Sequence, residues 1–178
     1  MTTKTEEISS AVKTADEGIT EAAAHAERLA ESARAKAETA AEHGWGGVAG
    51  NMEQAVEHLE GVVEQVRTAE RAGQTAATVL DEITDQMSSP EVVEHLVTAG
   101  GELDTVTGSL ESVVALVDEA ITACEAAGQT SLLGAMQSLR EEISEAHERA
   151  GQSRDETDAE RQHAETWTDE VEEEEGAS

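Results

Sequence analysis

The stretch Met52 to Val66 reads MEQAVEHLEGVVEQV, and its spacing decides the fold. Met52, Ala55, Leu59, Val62 and Val66 recur in alternating steps of three and four. Glu53, Glu57, His58, Glu60 and Glu64 fall between them. A helix with 3.6 residues per turn gathers the first set on one stripe and turns the second set outward. A half-buried strand needs alternation at every second residue, which this stretch lacks.

The stripe continues both ways along the chain. Upstream it is carried by Ile8, Val12, Ala15, Ile19, Ala22, Ala26, Leu29 and Ala33. From Val48 it runs through the quoted stretch to Ala69, Gly73, Ala76, Leu80, Ile83 and Met87. A third segment holds Leu96, Ala99, Leu103, Val106, Leu110, Val113, Val117, Ala120, Cys124 and Ala127. A fourth holds Leu132, Met136, Leu139, Ile143, Ala146 and Ala150, thinning towards Ala164, Trp167 and Val171.

The interruptions have local causes. His43 to Gly47 is rich in glycine, which enters left-handed turns at no steric cost. Ser88-Ser89-Pro90 reads as a helix start, with Ser89 as cap and Pro90 as the first helical residue. At Gly128 the frame slips, so a helix stops there and another starts under Thr130 or Ser131. Gly73 keeps the frame and reads as a helical residue that lets a neighbour approach. Gly100-Gly101 reads as a kink within one helix.

Four helices are therefore expected, near 5–42, 48–88, 90–127 and 131–166, forming a bundle over 1–167. Residues 168–178 read as an acidic disordered tail. Similar lengths and short connections force neighbours antiparallel. The fold class is all-α: an elongated up-down-up-down four-helix bundle with coiled-coil-like packing. The first helix has mostly alanine inside, which buries little area but allows close approach. LEGVV at 59–63 returns as LESVV at 110–114, and AGQT at 72–75 returns at 127–130, as a duplicated hairpin would.

Charge narrows the partners. The chain has 178 residues, 40 acidic and 11 basic, for a formal net charge of -29. Such a surface repels phosphates, which argues against nucleic acid and anionic lipid. A protein partner or self-association remains, with a basic protein, a basic peptide or a cation as the complementary chemistry. An acidic proteome would account for the charge with no function attached. No apolar run is long enough for a membrane span. The polar start, MTTKTEEISS, has no apolar core of a cleaved signal, so the expected compartment is the cytoplasm.

Catalytic chemistry leaves no trace. Phosphate-binding glycine loops, nucleophile elbows and His-Glu-x-x-His pairs are absent. A di-iron bundle needs inward glutamates and two Glu-x-x-His pairs, and Glu160 with His163 is the single pair here. His25, His43, His58, His95 and His147 fall off the inner stripes and read as solvated. Cys124, the only cysteine, falls on the stripe and reads as core filler. The expectation is a non-enzymatic structural or protein-interaction module with no cofactor, no metal and no catalytic residue. A metal-binding, ferritin-like bundle is the alternative from another class.

The candidate contact or turn residues are Trp45, Gly46, Gly47 and Trp167. The two tryptophans are the chain's only aromatic residues other than histidine. An indole can cover the last core layer of a bundle while its N–H stays wet, so the two read as lids at opposite ends. Trp45-Gly46-Gly47 between two helices also resembles the W-x-G turn of the helical-hairpin proteins exported by type VII secretion systems. That resemblance implies export without a cleaved signal, hence a secreted alternative to the cytoplasm. The family's hairpin is about half this length, and its export signal sets a Tyr four residues before an acidic residue. This chain has no Tyr, and Trp167 precedes Glu170 by three. The alanine-rich texture also resembles uncharacterised helical proteins of high-GC actinobacteria.

Overall fold

In a computed structural model, which describes residues 2–176 and the side chains as far as Thr168, the chain forms four helices. They are α1 (Lys4–Glu42), α2 (Gly46–Asp81), α3 (Ser89–Ala126) and α4 (Thr130–Gly176). Each packs on the next and α1 packs on α4, while the diagonal pairs do not meet. The result is the expected antiparallel four-helix bundle.

The stripes explain the packing. Ile8 to Ala33, Met52 to Leu80, Leu96 to Ala127 and Leu132 to Ala150 are buried at every expected position between those bounds. Each fully buried aliphatic side chain contributes about 1.5–3 kcal/mol before chain entropy is counted. The alanines of α1 are buried against the other helices, so its inner face is covered within the chain itself.

Two turns at one end share a geometry. Gly44 has φ 76° and Gly128 has φ 70°. At the first, the Trp45 N–H donates to Ala40 and the Gly44 N–H to Ala41. At the second, the Gln129 N–H donates to Cys124 and the Gly128 N–H to Glu125. Both are Schellman motifs, in which one left-handed residue lets the last carbonyls of a helix find donors.

The other end differs from expectation. α2 stops at Asp81 instead of 88, and residues 82–88 form a longer connection. Asp81 is held there by Ser9 and Lys13 of α1, at 2.5 and 2.7 Å. Ile83 and Met87, expected on the stripe, are only half-buried in this connection. The cap of α3 is Ser88, with Ser89 and Pro90 in the first turn. The Glu91 carboxylate accepts from the Ser88 N–H and hydroxyl, at 2.7 and 2.8 Å. This Ser-x-x-Glu box favours Ser88 over Ser89 as the cap. Those two hydrogen bonds hold the Glu91 carboxyl below its ordinary range.

α3 runs unbroken through Gly100-Gly101. α4 is helical past 166 to Gly176, through a glutamate run that favours helix. The rest of the tail expectation, for residues 177 and 178, and the expected inward position of Val171 fall outside the described residues and side chains.

Heptad-spaced pairs fix the register of two seams. On α4, Arg140, His147 and Arg154 recur every seven residues and face Asp118, Glu111 and Asp104 of α3, at 2.7, 3.2 and 3.6 Å. Between α1 and α2, Arg34 meets Glu60, Arg67 meets Glu27 and Lys13 meets Asp81. Such exposed pairs each contribute about 0.2–1 kcal/mol, so they select register more than they stabilise.

Candidate functional site

Trp45 is the last of the three residues between α1 and α2, where its backbone completes the Schellman turn and caps α2. Its side chain is 57% exposed, and the ring leans on His43 with centroids 4.8 Å apart. Gly46 and Gly47 begin α2 and have open space around them. Trp167 lies far along α4 towards the opposite end and is also 57% exposed. The indoles thus stand at the two ends, as the sequence indicates, but neither enters the core as a lid. The end layers are closed by Ala40, Ala49 and Ala127 at one end and by Ile8 and Leu80 at the other. Their small or self-covering packing leaves the indoles on the surface.

His43 is exposed as expected, but His25, His58, His95 and His147 are half-buried and depart from the solvated reading. His25 of α1 lies 3.2 Å from Glu142 of α4, and His58 of α2 lies 3.1 Å from Glu119 of α3. His147 faces Glu111 across the α3–α4 seam, and His95 reaches Glu82 in the connection at 3.6 Å. These side chains flank the core and tie neighbouring elements. The signal was present in the sequence as histidine just beside each stripe, but the partner helix could not be read from spacing. Among the described residues, no group of three or more His, Cys, Asp or Glu gathers closely enough to hold a metal ion. Glu160 and His163 therefore do not meet a second ligand pair. Cys124 is buried in the core, and burial pushes its thiol up.

Sequence reading missed Asp16. It sits on α1 where Gly73 of α2 leaves a notch; a Cβ built on Gly73 would stand 2.8 Å from Asp16 Oδ1. Oδ1 is buried and has no hydrogen-bond partner. Burial, then the nearby Glu70 charge, raises the Asp16 pKa to about 6, while the neighbouring Gln74 side chain opposes the rise. The only signal was the tolerated Gly73 in the middle of a helix.

The clefts are surface grooves between helices. Two of them, each about 380 Å³, lie between α3 and α4 at Gly100-Gly101 and between α1 and α2 at Gly73. The first is lined by Asp104, Arg154, Asp158 and Arg161 beside Leu96 and Val97, and the second by Lys13, Asp16 and Asp81 beside Ala77. Compared with protein-family models, curated proteins and solved structures, the chain matches none.

Proposed function

We propose that this chain is a non-enzymatic bundle that works by contact with another protein. One observation carries the reading: both tryptophans are exposed while nearly all the other large apolar side chains lie in or against the core. An exposed indole presents a large apolar ring with a polar N–H to a partner that can cover it. Tryptophan is also prominent among the residues that dominate binding energy at interfaces. The net charge of -29 favours a basic protein partner, which acid-rich seams attract at long range. The cytoplasm is the compartment proposed.

Capture from native lysate tests this reading. The intact chain is expected to retain a protein that the Trp45→Ala or Trp167→Ala chain releases. Identical capture by all three chains would remove the indoles from the argument. Self-association is the second arm: light scattering over a dilution series giving a constant monomer mass would exclude it.

Export through a type VII system is a second proposal, resting on Trp45 standing between α1 and α2 with Gly46 and Gly47 opening α2. Failure to find the chain in the culture supernatant of cells that make both it and the secretion machinery would sink that proposal.

A further inference from the structure

The core is divided in two. The larger cluster takes aliphatic side chains from all four helices, α4 supplying Leu132, Met136, Leu139 and Ile143. The smaller cluster is built from Ile8 and Val12 of α1, Ala76, Ala77 and Leu80 of α2, and Leu96, Ala99 and Leu103 of α3. Among the described side chains, α4 offers that cluster only a half-buried Ala164. Beyond Ala150 its inward positions are Ser153 and Thr157, buried at 2% and 0% exposure.

Those polar side chains do not fasten α4 to its neighbours. The Thr157 hydroxyl donates at 2.8 Å to the Ser153 carbonyl of its own helix. The α3–α4 ladder also ends early. One heptad past Arg154 comes Arg161, and one heptad before Asp104 comes Val97, which carries no charge and is 53% exposed. Arg161 turns back to Asp158 and Glu165 of α4. The cleft of about 380 Å³ opens at this missing rung, lined by Leu96, Val97, Gly100 and Thr157. A second cleft of about 250 Å³ follows the α1–α4 seam past Ser153. Among the described residues, the remaining cross-helix ties are two exposed pairs, Lys4 with Glu156 and Arg154 with Asp104.

We infer that residues 151–168 of α4 form a strap that lifts as a unit from the smaller cluster while the four-helix core stays closed. The hinge is Gly151, next to the last core residue of α4, Ala150. After proline, glycine is the residue that least resists leaving a helix. Lifting exposes an apolar groove made by α1, α2 and α3, wide enough for a helix because a helix already lies in it. The strap stands independently of any partner that uses that groove.

Thiol labelling tests it in one molecule. Ser153→Cys puts a near-isosteric thiol under the strap, and the native Cys124 in the larger cluster is the internal control. The thiol at position 153 is expected to react at least ~10-fold faster than Cys124, since local opening needs less free energy than global opening. Adding Thr157→Leu, which gives the strap an aliphatic grip, is expected to slow position 153 and leave Cys124 unchanged. Equal rates at the two thiols, or a Thr157→Leu change that leaves position 153 as fast, would overturn the strap. Hydrogen exchange on the unsubstituted chain decides the matter should the variants fail to fold. A step in protection near Gly151 supports the strap, and a smooth decline from Leu132 to Thr168 overturns it.

Discussion

The two core clusters have the same helical period and antiparallel neighbours, yet they are closed differently. In the larger one, leucines, valines and isoleucines meet from α2, α3 and α4, and α1 fills the remaining side largely with alanine. In the smaller one, α1 contributes Ile8 and Val12 near its start, while α4 contributes serine, threonine and a half-buried alanine, Ala164. The difference teaches that continuous helices do not imply a continuous core. Backbone hydrogen bonding carries α4 onward after its apolar stripe has ended, and the end of that stripe sets where the bundle loosens.

Truncation is the most forceful way to break this comparison. Leu110→Ala or Leu139→Ala, in the four-sided cluster, should cost about 3–5 kcal/mol. Leu96→Ala, in the three-sided cluster, should cost about 2–3 kcal/mol, because water and the half-attached α4 relax into the space. Equal losses in urea unfolding would show that the two clusters are one core.

Asp16 and Gly73, near the boundary between the clusters, give an effect of the next size. The carboxyl of Asp16 has its pKa raised to about 6, above its ordinary value. A group raised on folding contributes stability that is complete below the unfolded pKa and is lost as pH rises through the folded pKa. Asp16→Asn should therefore stabilise the chain at pH 7.5 by about 1 kcal/mol, a figure discounted for the group's partial exposure, with little gain at pH 4. Gly73→Ala should push the flexible carboxylate into water and gain helix propensity, for a net stabilisation of about 0.5–1 kcal/mol. It should also flatten the pH dependence between the unfolded pKa of 3.8 and the folded pKa of about 6. A destabilised Gly73→Ala chain with its pH dependence intact would show that the notch is rigid.

Thr157→Val is the gentler counterpart in the smaller cluster. It swaps a hydroxyl bonded only within its own helix for a methyl facing apolar neighbours. The midpoint of thermal unfolding should rise by a few degrees, equivalent to about 0.5–1 kcal/mol. Added salt should act most evenly of all. Screening the net charge of -29 should raise the melting temperature from low to molar salt near neutral pH. A flat or falling trend would mean that the exposed pair ladders outweigh the repulsion.

Much of this was legible in the sequence, for physical reasons that can be stated residue by residue. Helical stripes report burial directly, so Ile8, Leu59, Leu110 and Ile143 are core on spacing alone. Left-handed turns demand glycine, so Gly44 and Gly128 mark two connections. The stop of α2 at Asp81 was not legible, because Ile83 and Met87 keep the period after the backbone has turned. Period alone also could not choose between Ser88 and Ser89 as cap, although Glu91 three residues after Ser88 held the answer. The repeated words separate in the same way. Leu59 and Leu110 begin motifs with matching burial, whereas AGQT is helix interior at Gly73 and a turn at Gly128.

At the indoles, sequence established place but not exposure. The alanines at one end and Ile8 with Leu80 at the other already close the core there, leaving no layer for a lid. Asp16 was hidden because its environment depends on which α2 residue lies opposite. The histidines were hidden for the same reason, since pairing with Glu142, Glu119 or Glu111 is a property of two helices and not of one.

An even number of antiparallel rods has a further result. α1 begins and α4 finishes at the same pole of the molecule, and the paired glycine turns sit at the other. Anything anchored through either extremity would hold the rod upright, with Trp45 at its free tip.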